Sequence, residues 1–227
     1  MNFGEIFEPA TRTAWEDWDD DLLSNVSKLV WQSPLEVPKN IKLLIILDGK
    51  FTSDCIRLQK QESVELINSI KNINLCLYKV KYSDSYICVL KDYDLLYSSE
   101  IVELLREILI ASRDVVSVLN KPIMEYQTTH TRNHSCVIRS LCTSIKSSNL
   151  KGLHFTRLEQ PNIISGVTAG VLSLREHLNL PATAVLYYLE FLESHQMKAI
   201  HNLLENLSVS YETNIGSNNI VNSNLYI

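Results

Sequence analysis

The chain has 227 residues, 45% of them hydrophobic and 21% charged, with a net charge of −5. That length can bury roughly 70% of the surface its unfolded form exposes, so a substantial core is expected. The charge does not suit a nucleic-acid or anionic-membrane binder, which needs a basic patch or stripe, and six glycines leave little material for phosphate-cradling loops.

The charge is unevenly spread. Residues 1–21 hold seven acids (Glu5, Glu8, Glu16, Asp17, Asp19, Asp20 and Asp21) against Arg12, a local charge of −6, and leave the rest near neutral. Phe3, Phe7, Trp15 and Trp18 lie among these acids. Residues 1–34 read as a flexible acidic arm, whose aromatics either lie against a surface or are incidental to a solvated tail.

The five cysteines (Cys55, Cys76, Cys88, Cys136, Cys142) are odd in number and never form a C-x-x-C pair, which points to reduced thiols in a cytosolic protein. The opening is acidic where a signal peptide would be basic and then apolar, and no apolar run approaches the ~20 residues of a membrane span. A soluble, cytoplasmic chain, with the nucleus as a second location, is the expectation.

Pro34 and Pro38 forbid helix ahead of "IKLLIIL", Ile41 to Leu47, whose unbroken apolar run predicts a buried central strand stopped at Asp48-Gly49. In "SVELINSIKNI", Ser63 to Ile73, the three-residue spacing of Val64, Ile67 and Ile70 predicts a helix. "NLCLYKVKY" and "SYICVLKD" alternate around Ser83-Asp84-Ser85 as a β-hairpin. The stretch "SEIVELLREILIASR" predicts a helix capped by Ser98 or Ser99, with Glu100 and Glu103 in its first turn.

"DVVSVL", Asp114 to Leu119, reads as a strand, and "SCVIRSLCTSIKS", Ser135 to Ser147, as an amphipathic helix. The loop "LEQPN" follows, in which Pro161 pushes Gln160 toward extended backbone and Asn162 can cap the next helix. That helix, "IISGVTAGVLSLREHLNL", ends before Pro181. The strand "ATAVLYYLEF" and the helix "SHQMKAIHNLLENL" complete the alternation. The sum is a single α/β domain over residues 35–207, a central mixed sheet flanked by helices, followed by a flexible tail over 208–227.

No chemical site emerges. Asp48-Gly49-Lys50 follows a strand, but without a phosphate-binding fingerprint it reads as a turn. His130, His134 and Cys136 sit close together, yet zinc would need a fourth ligand or a water, and a Cys136–His134 dyad would require spatial adjacency. The expectation is no enzyme, catalytic residue, cofactor or metal.

The stretch from Leu158 to Phe191, the ending "NIVNSNLYI", and the opening "NFGEI" followed by an acidic run together resemble the proteasome assembly chaperone 1 family. The resemblance covers about the last 70 residues and the start. From Lys50 to Lys151 only the order of elements is similar.

The resemblance implies a non-enzymatic α/β protein that forms a heterodimer with proteasome assembly chaperone 2 and promotes α-ring formation by the α subunits of the proteasome core particle. It also implies a C-terminal HbYX motif: Leu225 takes the hydrophobic position, Tyr226 the tyrosine, and Ile227 the last residue, whose carboxylate pairs with a lysine in a pocket between α subunits. An aromatic anchor with a desolvated charge pair is a strong interface element. Three residues alone bind weakly, but a tethered tail binds at high effective concentration. Two alternatives remain at this stage: a small-molecule enzyme with a site near Asp48 or His130, and a scaffold whose Leu225-x-Ile227 end meets a PDZ domain.

Overall fold

The structure, a computed structural model, describes residues 29–49, 57–58, 64–128, 136–145, 155–189, 202–207 and 211–212. Its strands are β1 (Ile41–Asp48), β2 (Arg57–Leu58), β3 (Val64–Ile70), β4 (Leu75–Val80), β5 (Ser85–Leu90), β6 (Ser112–Pro122), β7 (Cys136–Cys142), β8 (Ala182–Leu189) and β9 (Tyr211–Glu212). Its helices are α1 (Ser98–Leu104), α2 (Arg106–Ala111) and α3 (Gly166–His177), with further helical backbone at 202–206.

Seven strands form one mixed sheet in the order β3-β4-β5-β1-β6-β8-β7. The four central strands β5, β1, β6 and β8 run parallel, and the outer strands β4, β3 and β7 join antiparallel. Strands buried on both faces carry apolar residues at consecutive positions, as β1 and β8 do. Leu44 and Ile46 face α1, α2 and α3, while Leu43, Ile45 and Leu47 face the layer that includes Leu203, Leu204 and Leu207. In β8, Ala184, Leu186 and Tyr188 pack on one side and Val185, Tyr187 and Leu189 on the other. This is the single α/β domain expected from the alternation of patterns.

Two expected helices are strands. Residues 64–70 form the edge strand β3, and only Lys71–Ile73 wind into a 3-10 turn. The cause is a β-bulge between Leu66 and Asn68. An extra residue there switches faces, so Val64 joins one core layer while Ile67 and Ile70 join the other. The result imitates helical spacing. Asn68, buried at the bulge, donates to Ser33 O (2.7 Å) and accepts from Ser69 N (2.9 Å), which ties the incoming segment to the sheet.

The second expected helix, 135–147, is β7 over Cys136–Cys142. Val137 and Leu141 pack on one face and Cys136 and Ile138 on the other. A strand covered on both faces loses its alternation and reads as helical. Its outer edge is covered too, since Ser140 N donates to Thr156 O (2.9 Å) and Leu158 N to Ser140 O (2.8 Å).

The 99–113 helix is shorter than expected and broken at Leu105. Neither serine caps it: α1 begins at Ser98, whose hydroxyl donates back to Leu95 O (2.5 Å), and Ser112 and Arg113 already belong to β6. The expected hairpin is β4–β5, and β1, β6 and β8 fall on the expected strands. Of the helix expected at 194–207, only 202–207 lie among the described residues.

Arg175 fixes the base of α3. Its side chain is fully buried and donates to four carbonyls: Leu109 (2.6 Å), Ser112 (2.8 Å), Arg113 (3.0 Å) and Pro181 (2.7 Å). Burial pulls the guanidinium down to about 10, and nearby Asp114 opposes that pull. It remains charged at neutral pH and joins α2, α3, β6 and the turn into β8.

Candidate functional site

In a sheet with parallel central strands, the edge where those strands end is where ligand sites usually form. Here that edge is the end of β1, β5, β6 and β8, with Asp48 level with Leu90 and Leu119. Asp48 is 2% exposed. Its Oδ2 accepts from Thr168 N (3.1 Å) and Thr168 Oγ1 (2.6 Å), and its Oδ1 accepts from Tyr93 OH (3.1 Å). Because Thr168 spends its only hydroxyl proton on Asp48, the 2.7 Å contact between Ser117 Oγ and Thr168 Oγ1 has Ser117 as donor.

The Tyr93 hydroxyl also accepts from Val167 N (3.0 Å) in the first turn of α3. Gly166 makes this approach possible, with φ of +74° and a position where a Cβ would lie 2.6 Å from Tyr93 OH. Burial pushes Asp48 above the usual carboxylate range, although the Thr168 and Tyr93 hydrogen bonds pull it down. Burial and the neighbouring Asp48 raise Tyr93 likewise, and burial, Asp48 and Cys76 raise the Cys88 thiol. Asp48 is enclosed by donors from its own chain, at the positive end of a helix dipole. It anchors α3 to the strand ends.

A second network holds the loop before α3. Arg139 of β7 makes a bidentate pair with Glu159, Nε to Oε2 at 2.7 Å and Nη2 to Oε1 at 3.1 Å, and donates to Tyr126 OH at 2.5 Å. Tyr126 OH donates to Glu159, and its ring lies under the guanidinium and 5.0 Å from the Tyr188 ring. The Arg139 hydrogen bond holds Glu159 down at about 2, and the pairing raises Arg139.

Asn162 does not cap α3, which begins at Gly166. It bonds Gln127 in both directions, accepting from Gln127 N and donating to Gln127 O, each at 2.8 Å. Lys121 reaches Ile163 O (3.3 Å) and Glu125 (3.1 Å). The Gln160–Pro161 bond in this loop is cis.

The loops these networks hold carry exposed apolar side chains among polar ones. Leu95 (63% exposed), Leu96 (79%), Met124 (93%) and Ile163 (75%) emerge from the loop after β5, the turn after β6 and the lead-in to α3.

The residues singled out from sequence are placed unevenly. Cys136 opens β7 and is half-buried, with burial raising its thiol, while His130 and His134 lie outside the described residues. Among the described residues no group of three or more His, Cys, Asp or Glu could hold a metal ion, and no helix is long and apolar enough to cross a membrane. Leu225, Tyr226 and Ile227 also lie outside the described residues, as do the arm's residues 1–28. Within the stretch read as tail, β9 pairs antiparallel with β2, with Arg57 opposite Glu212 and Leu58 opposite Tyr211.

Sequence reasoning missed Tyr93, Ser117, Thr168, Arg139 and Glu159. The one local signal is Thr168, a hydroxyl buried beside Val167 and Val171 in the core-facing side of α3.

No protein-family model matches the chain, and neither does the sequence of any curated protein. Solved structures do. The monoclinic crystal form of Pyrococcus furiosus PbaA, described as an archaeal homolog of proteasome-assembly chaperone, superposes with a TM-score of 0.53 at 12% identity, over 78% of this chain and 82% of that one. The chain has that fold. A second crystal structure of PbaA gives 0.50 at 12% identity over 78% and 86%, and a Thermoplasma acidophilum protein of unknown function gives 0.50 at 10% over 76% and 79%.

Proposed function

We propose that this chain is a proteasome assembly chaperone that works by binding. It pairs with proteasome assembly chaperone 2, promotes α-ring formation by the core-particle α subunits, and acts in the cytoplasm. The observation that carries this reading is at the strand ends. The carboxylate an α/β enzyme would present there is spent on holding α3, and Leu95, Leu96, Met124 and Ile163 stand exposed on the neighbouring loops. The sequence resemblance names the class of partner, and the fold shared with PbaA agrees with it.

In this reading the tail carries the docking element. Leu225 fills an apolar slot between α subunits, Tyr226 packs and hydrogen-bonds there, and a carboxylate on Ile227 pairs with a lysine. Beyond the β2–β9 pair, residues 213–227 remain to carry this element to the pocket. As a flexible chain they reach about 20 Å.

Affinity purification with mass spectrometry, on the intact chain and on one lacking Leu225 to Ile227, tests the proposal. The intact chain should recover α subunits and the partner chaperone, and the truncated chain the partner with far fewer α subunits. Equal recovery of α subunits would refute the tail's role. Absence of proteasome subunits from both would refute the reading as a whole.

A further inference from the structure

At the edge of the sheet opposite the strand ends, where β1, β5, β6 and β8 begin, the surface changes character. Lys39, Lys42, Asp84, Ile110, Arg113 and Leu180 line a groove there of about 600 Å³, and Asp84 is its one acid. The three cations stand exposed, and among the described residues none of them has an ion-pair partner. Alongside them Ile110 leaves 48% of its surface in water and Leu180 is half-buried.

The turn that leads into β5 adds an aromatic ring to this edge. Tyr82 is wholly exposed, and its φ of +65° is a left-handed conformation that a tyrosine enters only at a cost. Neither burial nor backbone preference accounts for a tyrosine at this position. Asp84, two residues on, is tied to the start of β1 by Lys42 N, which donates to Asp84 O (2.7 Å).

Uncompensated cations beside aliphatic side chains are complementary to carboxylates carried on a segment with large apolar groups. Tyrosine and arginine are also the residue types that most often anchor protein interfaces. A nucleic-acid backbone fits less well, because its affinity grows with the number of phosphates neutralised and it has no use for an aliphatic wall.

We propose that this groove docks an acidic segment of a partner protein that carries at least one large apolar side chain. Carboxylates of the segment meet Lys39, Lys42 and Arg113, its apolar side chain lies on Ile110 and Leu180, and the Tyr82 ring packs on it where it passes Asp84. Asp84 sets the direction, since it repels any carboxylate placed at that end. The inference does not depend on the proposed chaperone role, because neither the tail nor the strand ends take part in it.

Fluorescence anisotropy with the full-length chain and a fluorescein-labelled, glutamate-rich peptide carrying one tryptophan and one leucine tests this. The dissociation constant should lie below about 1 mM in about 0.05 M NaCl and rise at least about tenfold in 1 M, where the screening length falls to about 3 Å. The same peptide with serine at both apolar positions should bind at least about threefold more weakly. Lys39→Glu/Lys42→Glu/Arg113→Glu should lose the glutamate peptide and gain a peptide with lysine in place of glutamate, with unchanged far-UV circular dichroism. Tyr82→Asn, which keeps the left-handed turn, should weaken binding about threefold. Zero-length carbodiimide coupling, read by mass spectrometry, should join peptide glutamates to Lys39 and Lys42 ahead of other lysines.

A dissociation constant above about 1 mM for the parent chain overturns the proposal. Equal binding of the serine-substituted peptide also overturns it, by reducing the contact to charge alone. Coupling that favours lysines elsewhere, or a charge reversal that leaves the glutamate peptide bound, overturns the assignment to this groove. Unchanged affinity in Tyr82→Asn overturns the part given to Tyr82.

Discussion

Replacing Arg175 with methionine should be among the most damaging single changes in the chain. Methionine keeps much of the aliphatic packing but leaves the carbonyls of Leu109, Ser112, Arg113 and Pro181 without the donors that now satisfy them. A buried acceptor that loses its partner costs about 1–3 kcal/mol. Release of the guanidinium's own desolvation cost offsets part of this, while Asp114, 2% exposed, loses the cation beside it. The net cost is about 4 kcal/mol, in the range for breaking a buried charged network. With a urea m-value of about 2 kcal/mol/M, the unfolding midpoint falls by about 2 M. Arg106→Met, at an exposed pair with Glu103, serves as the control and should move stability by no more than about 0.5 kcal/mol. An Arg175→Met midpoint within about 0.5 M of the parent would refute the assigned role.

Other perturbations follow from the same contacts. Gly166→Ala places a Cβ 2.6 Å from the Tyr93 hydroxyl at a φ of +74°, and should cost about 1–3 kcal/mol. Tyr93→Phe in the same chain should recover part of that loss, as a double-mutant cycle in urea would reveal. Two carboxylates should give opposite pH slopes. Glu159, held at about 2 against an ordinary 4.5, contributes stability above pH 4.5 that is lost as pH falls toward 2. At 39% exposure it contributes less than about 1 kcal/mol, so Glu159→Gln should flatten the acid limb modestly, and added salt should shrink the difference. Asp48 is raised above its ordinary 3.8, so its folded form is favoured at low pH and loses stability as pH rises through 3.8 and beyond. Asp48→Asn should remove that decline, as urea midpoints from pH 3 to 7 would register.

The central strands were legible because burial on both faces writes an unbroken apolar run into β1, and because Asp48-Gly49 punctuates it. The hairpin was legible from period-two alternation, and α3 from its length and the proline after it. Two outer strands were not legible, for one physical reason seen in two forms. A bulge at Ile67 moved β3 from one face to the other, and coverage of both faces of β7 erased its alternation, so apolar residues three or four apart resembled helical stripes. The strand-end networks were invisible because their members lie far apart in sequence: Asp48 and Thr168 by 120 residues, Tyr93 and Val167 by 74. Glu159 and Asn162 could be seen as a loop in the sequence. Their partners Arg139, Tyr126 and Gln127 come from β7 and the segment after β6, which no local pattern connects to that loop.

The central claim, proposed binding to α subunits through the tail, is tested most directly by the affinity for isolated α subunits of the chain purified with the partner chaperone proposed for it. The intact chain should be compared with Tyr226→Ala and with a chain carrying one extra residue after Ile227. Both changes should weaken binding at least about tenfold, the loss expected when an anchor worth about 1.4 kcal/mol or more is removed, with pairing to the partner chaperone unchanged. Affinities equal to that of the intact chain would contradict the account.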